Sequence, residues 1–185
     1  METTYEQSIF EEEPISVIYA SFWERFGALF LDGLILAPVS IINLYNHTGW
    51  KSMPVMILAT LIGIVYKPLL EYLYGATPGK KALSIAVTGK TYDKPTLQEA
   101  LLRNIFGIVS GIVTLIFTIM IFNNPLFEQV DSMADYNALQ SQNGWSTIAI
   151  GIVSIWYLVD WIVLLADKEN RSLHDMIGGT YVIKK

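Results

Sequence analysis

The chain has 185 residues, of which 52% are apolar and only 16% charged. A soluble domain ordinarily carries about 25% charged residues, so a conventional water-soluble fold is disfavoured. There are no cysteines, which excludes a disulfide framework, a thiolate metal site and a thiol nucleophile; the net charge of −5 is a poor guide because the charges are unevenly placed.

Residues 1–18 contain Glu2, Glu6, Glu11, Glu12 and Glu13 and no Lys or Arg. That is the wrong sign for a signal-peptide n-region, so a flexible acidic N-terminus is expected instead of a cleavable leader. After Pro14, residues Ile15, Ile18, Phe22 and Phe26 fall at helical spacing, and Tyr19 and Trp23 suit the headgroup level. This predicts a short interfacial segment leading into a first span over about 22–44. That span carries Arg25 and, two turns later, Asp32. The two share a face about 10 Å apart along the axis. A carboxylate inside a membrane span is costly, so it should have a partner or a task.

A second span covers about 53–74. It holds Lys67 and Glu71 at i,i+4 with Pro68 between them, a pairing geometry beside a helix-kinking residue. The segment that follows opens with a tight-turn signal, Thr77-Pro78-Gly79, before Lys80 and Lys81. Residues 83–88 alternate like a short strand. Thr96 to Glu99 fits a capping box, opening a helix that takes Arg103 to the membrane edge. The third span is expected over about 101–122, with Gly107, Gly111, Thr114 and Thr118 along one side, a small-residue face suited to close helix packing or a homodimer.

Residues 123–144 form a polar, acidic loop with Glu128, Asp131 and Asp135, read as solvated because the spacing is no metal signature. The fourth span, about 145–166, carries Trp156, Tyr157, Asp160 and Trp161. A polar tail at 167–176 follows, then Gly178-Gly179 and a second strand candidate at 180–183 that could pair with the first. The fold class expected is therefore an all-α membrane protein of four transmembrane helices with a small cytoplasmic β-ribbon, spanning residues 19–184. A soluble four-helix bundle would need a polar face on every helix, and 58–65 and 105–121 have no charged face.

Positive residues cluster in two places. Lys80, Lys81, Lys90, Lys94 and Arg103 lie between the second and third spans, and Lys168, Arg171, Lys184 and Lys185 follow the fourth. The other two connections hold only Lys51. Positive residues mark the cytoplasmic side, which predicts both termini and the middle segment inside, in the inner (plasma) membrane.

At 1.5 Å per residue, Asp32 and Lys67 lie about 10 Å from the inner edge and Asp160 about 9 Å. Arg25, Glu71 and Arg103 lie nearer that edge. Two carboxylates and an ammonium at one depth can neutralise each other. They form either a structural ion cluster or a cation or proton site reached from the cytoplasm. There is no GxGxxG, P-loop, HExxH or GxSxG, so no enzyme, cofactor or nucleic-acid partner is expected. The histidines, His47 and His174, fall on opposite sides and cannot build one metal site. His174, beside Asp175, could be a proton relay or a hydrogen bond from tail to bundle.

Four ordered blocks carry a family resemblance. Tyr19 to Asp32 (YASFWERFGALFLD) resembles the opening signature of the RDD family of bacterial membrane proteins, named for an arginine and two aspartates. Thr77 to Val87 (TPGKKALSIAV) resembles its turn after the second span, Leu101 to Asn104 (LLRN) the start of its third, and Arg171 to Ile183 (RSLHDMIGGTYVI) its closing motif. By position the arginine is Arg25 and the first aspartate Asp32; the second is Asp175 in the closing motif or Asp160 in the fourth span. The resemblance implies a multi-span inner-membrane protein, with ligand transport, including cation/proton exchange, suggested for the family. A non-transporting scaffold or accessory subunit is the competing expectation.

Overall fold

The computed structural model describes residues 17–142 and 144–185. The acidic segment at 1–16, with Ile15, lies outside the described residues. Helix α1 (Phe22–Thr48) starts where Ser21 and Glu24 close a capping box, each satisfying the other's backbone N–H. Helix α2 (Met53–Tyr74) stops at Gly75, whose φ of 68° is a left-handed cap that favours glycine. A five-residue helix, α3 (Pro78–Ala82), leads to β1 (Ile85–Thr88). Then come α4 (Leu97–Arg103) and α5 (Ile105–Phe122). A 3₁₀ turn at Pro125–Gln129 precedes α6 (Met133–Ser141), α7 (Gly144–Ala166), α8 (Leu173–Gly178) and β2 (Tyr181–Lys184).

Among the described residues, α1, α2, α5 and α7 are long and apolar enough to cross a membrane. Their 27, 22, 18 and 23 residues correspond to about 27–40 Å of helix, against about 30 Å of hydrocarbon. Their apolar side chains point outward: Ile155 and Leu165 are 66% and 67% exposed. A water-soluble bundle hides such residues, whereas a lipid-facing one must display them.

One end of the bundle is closed by the ribbon. β1 and β2 pair antiparallel with Ile85 opposite Lys184 and Thr88 opposite Tyr181. The segment before α1 lies along the other edge of β2: Ala20 N–H donates to Val182 O, and Lys184 N–H to Ile18 O. Residues 17–20 are therefore extended beside the ribbon and are not an interfacial helix. Ala20, Ala28, Ile85, Val87 and Val182 form a small buried core between ribbon and α1. The opposite end is capped by a second core of Ile121, Phe127, Val130, Tyr136 and Leu139. The loop at 123–144 thus has its own apolar interior, which its acidic composition concealed.

Other expectations change in detail. The first span runs on to Thr48. The Thr77 turn is the N-cap of α3, and the polar tail contains α8, opened by a Ser172–Asp175 capping box. The third span is two helices divided at Asn104. Asn104 donates its side-chain amide to Ala100 O at 2.9 Å, a local bond that competes with the helical ladder.

Candidate functional site

At the ribbon end the bundle encloses a cavity of about 170 Å³. Arg25, Asp32, Lys67, Glu71, Lys80, Arg103, Asp160 and His174 line it, with Trp156, Tyr157 and Trp161 along one wall. Three arrangements hold these charges, apart from Lys67.

The first is a clasp. Arg25 donates to Asp175 at 2.5 Å and to Asn170 O. Arg103 also pairs with Asp175, donates to Thr180 Oγ1 at 3.1 Å, and reaches Glu71 with Nε at 3.2 Å. Glu71 is completed by Lys80 and by the Asn104 amide at 2.8 Å. Asp175 is fully buried, Glu71 is 1% exposed and Arg103 4%. Charges so thoroughly removed from water survive only when paired and hydrogen-bonded. Gly178 permits this packing: a Cβ there would stand 2.7 Å from Arg103 Cβ. The expected Lys67–Glu71 pair does not form, because Lys80 and Arg103 occupy the Glu71 carboxylate.

The second arrangement holds Asp32. It accepts from Tyr66 OH at 2.9 Å, Thr77 Oγ1 at 2.6 Å and Gly79 N–H at 2.8 Å. All three donors are neutral. Gly79 makes this possible: a Cβ there would lie 2.2 Å from Ala28 O, so only glycine lets α3 approach α1 closely enough for its N–H to reach the carboxylate. This approach also brings Lys80 into the cavity.

The third arrangement is Asp160 with His174. The imidazole Nδ1 lies 2.8 Å from both carboxylate oxygens, and His174 N–H donates to Oδ1 at 3.0 Å. Burial, and then the positive charge of Arg103, push the His174 pKa down to about 4. Burial likewise lowers the Lys80 ammonium against the pull of Glu71. His174 therefore bonds the bundle through Asp160, while Asp175 beside it belongs to the arginine clasp.

Asp32, Lys67 and Asp160 line the same cavity, but no carboxylate lies within ion-pair distance of Lys67 among the described residues. Asn104, Ser172 and Thr180, which fall in the blocks that carry the family resemblance, also contribute to the site, as do Tyr66 and Asn170, which no pattern in the sequence announces. Among the described residues no group of three His, Cys, Asp or Glu side chains is placed to hold a metal ion.

A lipid-facing bundle whose ribbon end gathers buried charges from three spans and three short helices defines a polytopic integral membrane protein with an internal polar cavity. The chain belongs to the RDD family, which residues 19–179 match. It is similar to the uncharacterized protein YckC of Bacillus subtilis, 26% identical over 165 residues, covering 88% of this chain and 83% of YckC. No solved structure matches. Within the motifs that carry the family resemblance, Arg25 meets Asp175, and Asp32 meets the Thr77–Gly79 turn.

Proposed function

We propose that the protein moves a small cation or proton across the inner membrane through the cavity at its ribbon end, and that this end faces the cytoplasm. The observation that carries the reading is the unequal treatment of four buried carboxylates. Glu71 and Asp175 are neutralised by Lys80, Arg103 and Arg25. Among the described residues Asp32 and Asp160 have no Lys or Arg within ion-pair distance, and both line one cavity with Lys67. A neutral hydrogen-bond shell holds a carboxylate in place and leaves its charge available to an arriving cation. Lys67 lines the same cavity outside ion-pair distance of either carboxylate, where its ammonium would compete with an arriving cation for them. The clustering of positive residues at the ribbon end supports the cytoplasmic orientation.

The test is proton flux in proteoliposomes under sodium, lithium and potassium gradients, with Asp32→Asn and Asp160→Asn. Loss of flux in both folded variants is expected; unchanged flux would end the transport reading. One observation favours a scaffold or accessory role instead: the arginine clasp ties α1, α2, α4 and α8 together with buried ion pairs. That reading requires the variants to alter stability or assembly and no flux.

A further inference from the structure

Helices α4 and α8 lie at the ribbon end outside the four spans, yet both carry outward apolar side chains. On α4, Ala100 and Arg103 are buried while Leu97, Leu101 and Leu102 are exposed. On α8, Asp175 and Gly178 are buried while Met176 and Ile177 are exposed. The helices pack on each other at Gly178, and Leu102, Met176 and Ile177 line one groove, so the two faces join. Their depth can be read from the spans. His174 N–H, in the first turn of α8, donates to Asp160 Oδ1 at 3.0 Å. Asp160 lies six residues before the end of α7 at Ala166, about 9 Å of helix. Helical side chains lean towards their own N-terminus, here the capped end, so the carboxylate is no shallower than its backbone. Beyond Asp160, Ile162 and Leu165 still point outward. The chain therefore leaves the fourth span, turns, and brings α8 back to a level where that span still shows an apolar surface. Helix α4 is fixed in the same way. Asn104, its C-cap, donates its short side-chain amide to Glu71 at 2.8 Å. Glu71 lies one turn before the end of α2, and Leu73 beyond it is exposed.

We infer that α4 and α8 form a re-entrant wedge sunk in the leaflet at the ribbon end, with Leu97, Leu101, Leu102, Met176 and Ile177 against its acyl chains. The face is continuous with a surface that already meets lipid: α4 leads through Asn104 into Ile105 and Val109 of α5, which are exposed on a membrane-length helix. Aromatic and basic side chains mark the headgroup level just beyond. Lys81 and Lys94 stand over the Tyr74 and Tyr72 rings at the end of α2, 4.2 and 5.6 Å from the centroids, the company expected where a span meets the interface. Non-helical backbone at membrane depth must be satisfied and covered by protein. The turn before α8 meets that demand, since Asn170 O accepts from Arg25 and Ser172 N–H donates to Asp175. The wedge shuts the arginine clasp off from water with lipid as well as with protein. It stands whether or not the protein transports anything.

The chain contains no cysteine, so Leu101→Cys, Met176→Cys and Ile177→Cys each create a sole thiol at an exposed position. Each is spin-labelled in the full chain in proteoliposomes, and its relaxation is measured with oxygen, which concentrates in hydrocarbon, and with a water-soluble nickel chelate. Asp93→Cys, in the exposed turn before α4, sets the aqueous value, and Ile112→Cys, exposed midway along α5, sets the hydrocarbon value. At all three wedge positions the ratio of oxygen to nickel accessibility should exceed that of Asp93→Cys severalfold and approach that of Ile112→Cys. A ratio equal to that of Asp93→Cys would place the helices in water and overturn the inference. Exclusion of both reagents, the mark of a second copy covering the face, would overturn it too. If a labelled variant loses the parent's melt, the unlabelled thiols are compared by reaction with a membrane-impermeant methanethiosulfonate. Severalfold slower reaction than at Asp93→Cys is expected, and equal rates count against the wedge.

Discussion

Asp175→Asn is the sharpest test of how the ribbon end is held together. Asp175 is fully buried and faces two guanidiniums, Arg25 and Arg103, while Ser172 N–H donates to it at 3.0 Å. The amide preserves shape and part of the hydrogen bonding, so the change isolates the charge. Arg103 keeps Glu71 as a counter-ion. Arg25 keeps only the carbonyl of Asn170, and its guanidinium is left without a paired carboxylate in a side chain 10% exposed. Breaking a buried pair by removing one partner costs about 3–5 kcal/mol. For a chain of this size, that corresponds to a melting temperature lower by about 10 °C. The control is Asp131→Asn, whose pair with Lys51 is 3.8 Å long and whose side chain is 89% exposed; such a pair contributes less than about 1 kcal/mol. Tryptophan fluorescence melts in detergent give both values. Combining Asp175→Asn with Arg25→Met should recover part of the loss, because the uncompensated charge is then gone. If Asp175→Asn melts within about 2 °C of the parent, an effect of about 1 kcal/mol or less, the clasp does not hold this end of the fold.

Two further outcomes follow from the same geometry. Gly79→Ala places a methyl 2.2 Å from Ala28 O and 2.8 Å from Asp32 Oδ1, so α3 must retreat and its bond to Asp32 lengthen. A destabilisation of about 1–3 kcal/mol is expected from overpacking, and a melt matching the parent would contradict the close approach. His174 should stay neutral well below its ordinary value of 6.5, titrating near 4 in the folded chain. The unfolded chain then binds a proton that the folded one refuses, so stability falls as pH drops from 6.5 to about 4 and loses nothing more from this group below that. Imidazole NMR of labelled protein measures the midpoint, and a value near 6.5 would show that the ring is not buried beside Arg103.

How much of this was legible in the chain divides along a physical line. Hydropathy, span length and capping act on neighbouring residues, and a lipid solvent reads them one helix at a time. The four long helices, the two strand candidates and the Thr96–Glu99 box could therefore be read from order alone, while the antiparallel direction of the ribbon came from the structure. Constant rise per residue placed Asp32, Lys67 and Asp160 at one expected level, and all three line one cavity. Their partners could not be read this way. Which charge meets which depends on how each helix is rotated about its axis and on where short segments fold back. The near backbone contact at Gly79 delivers Thr77 and Lys80 to α1 and α2, and that at Gly178 delivers Asp175 to Arg103. Glu71 was expected to pair with Lys67 on its own helix and instead takes partners from two other helices, since three-dimensional packing brings the Arg103 guanidinium and the Lys80 ammonium to it. The sequence by itself determined a bundle of four membrane-length helices that carry charged residues near one end. Only the tertiary structure decided that Arg25, Arg103 and Lys80 are committed to Glu71 and Asp175, leaving Asp32 and Asp160 with neutral donors, because ion pairing is set by distances between segments that no local pattern encodes.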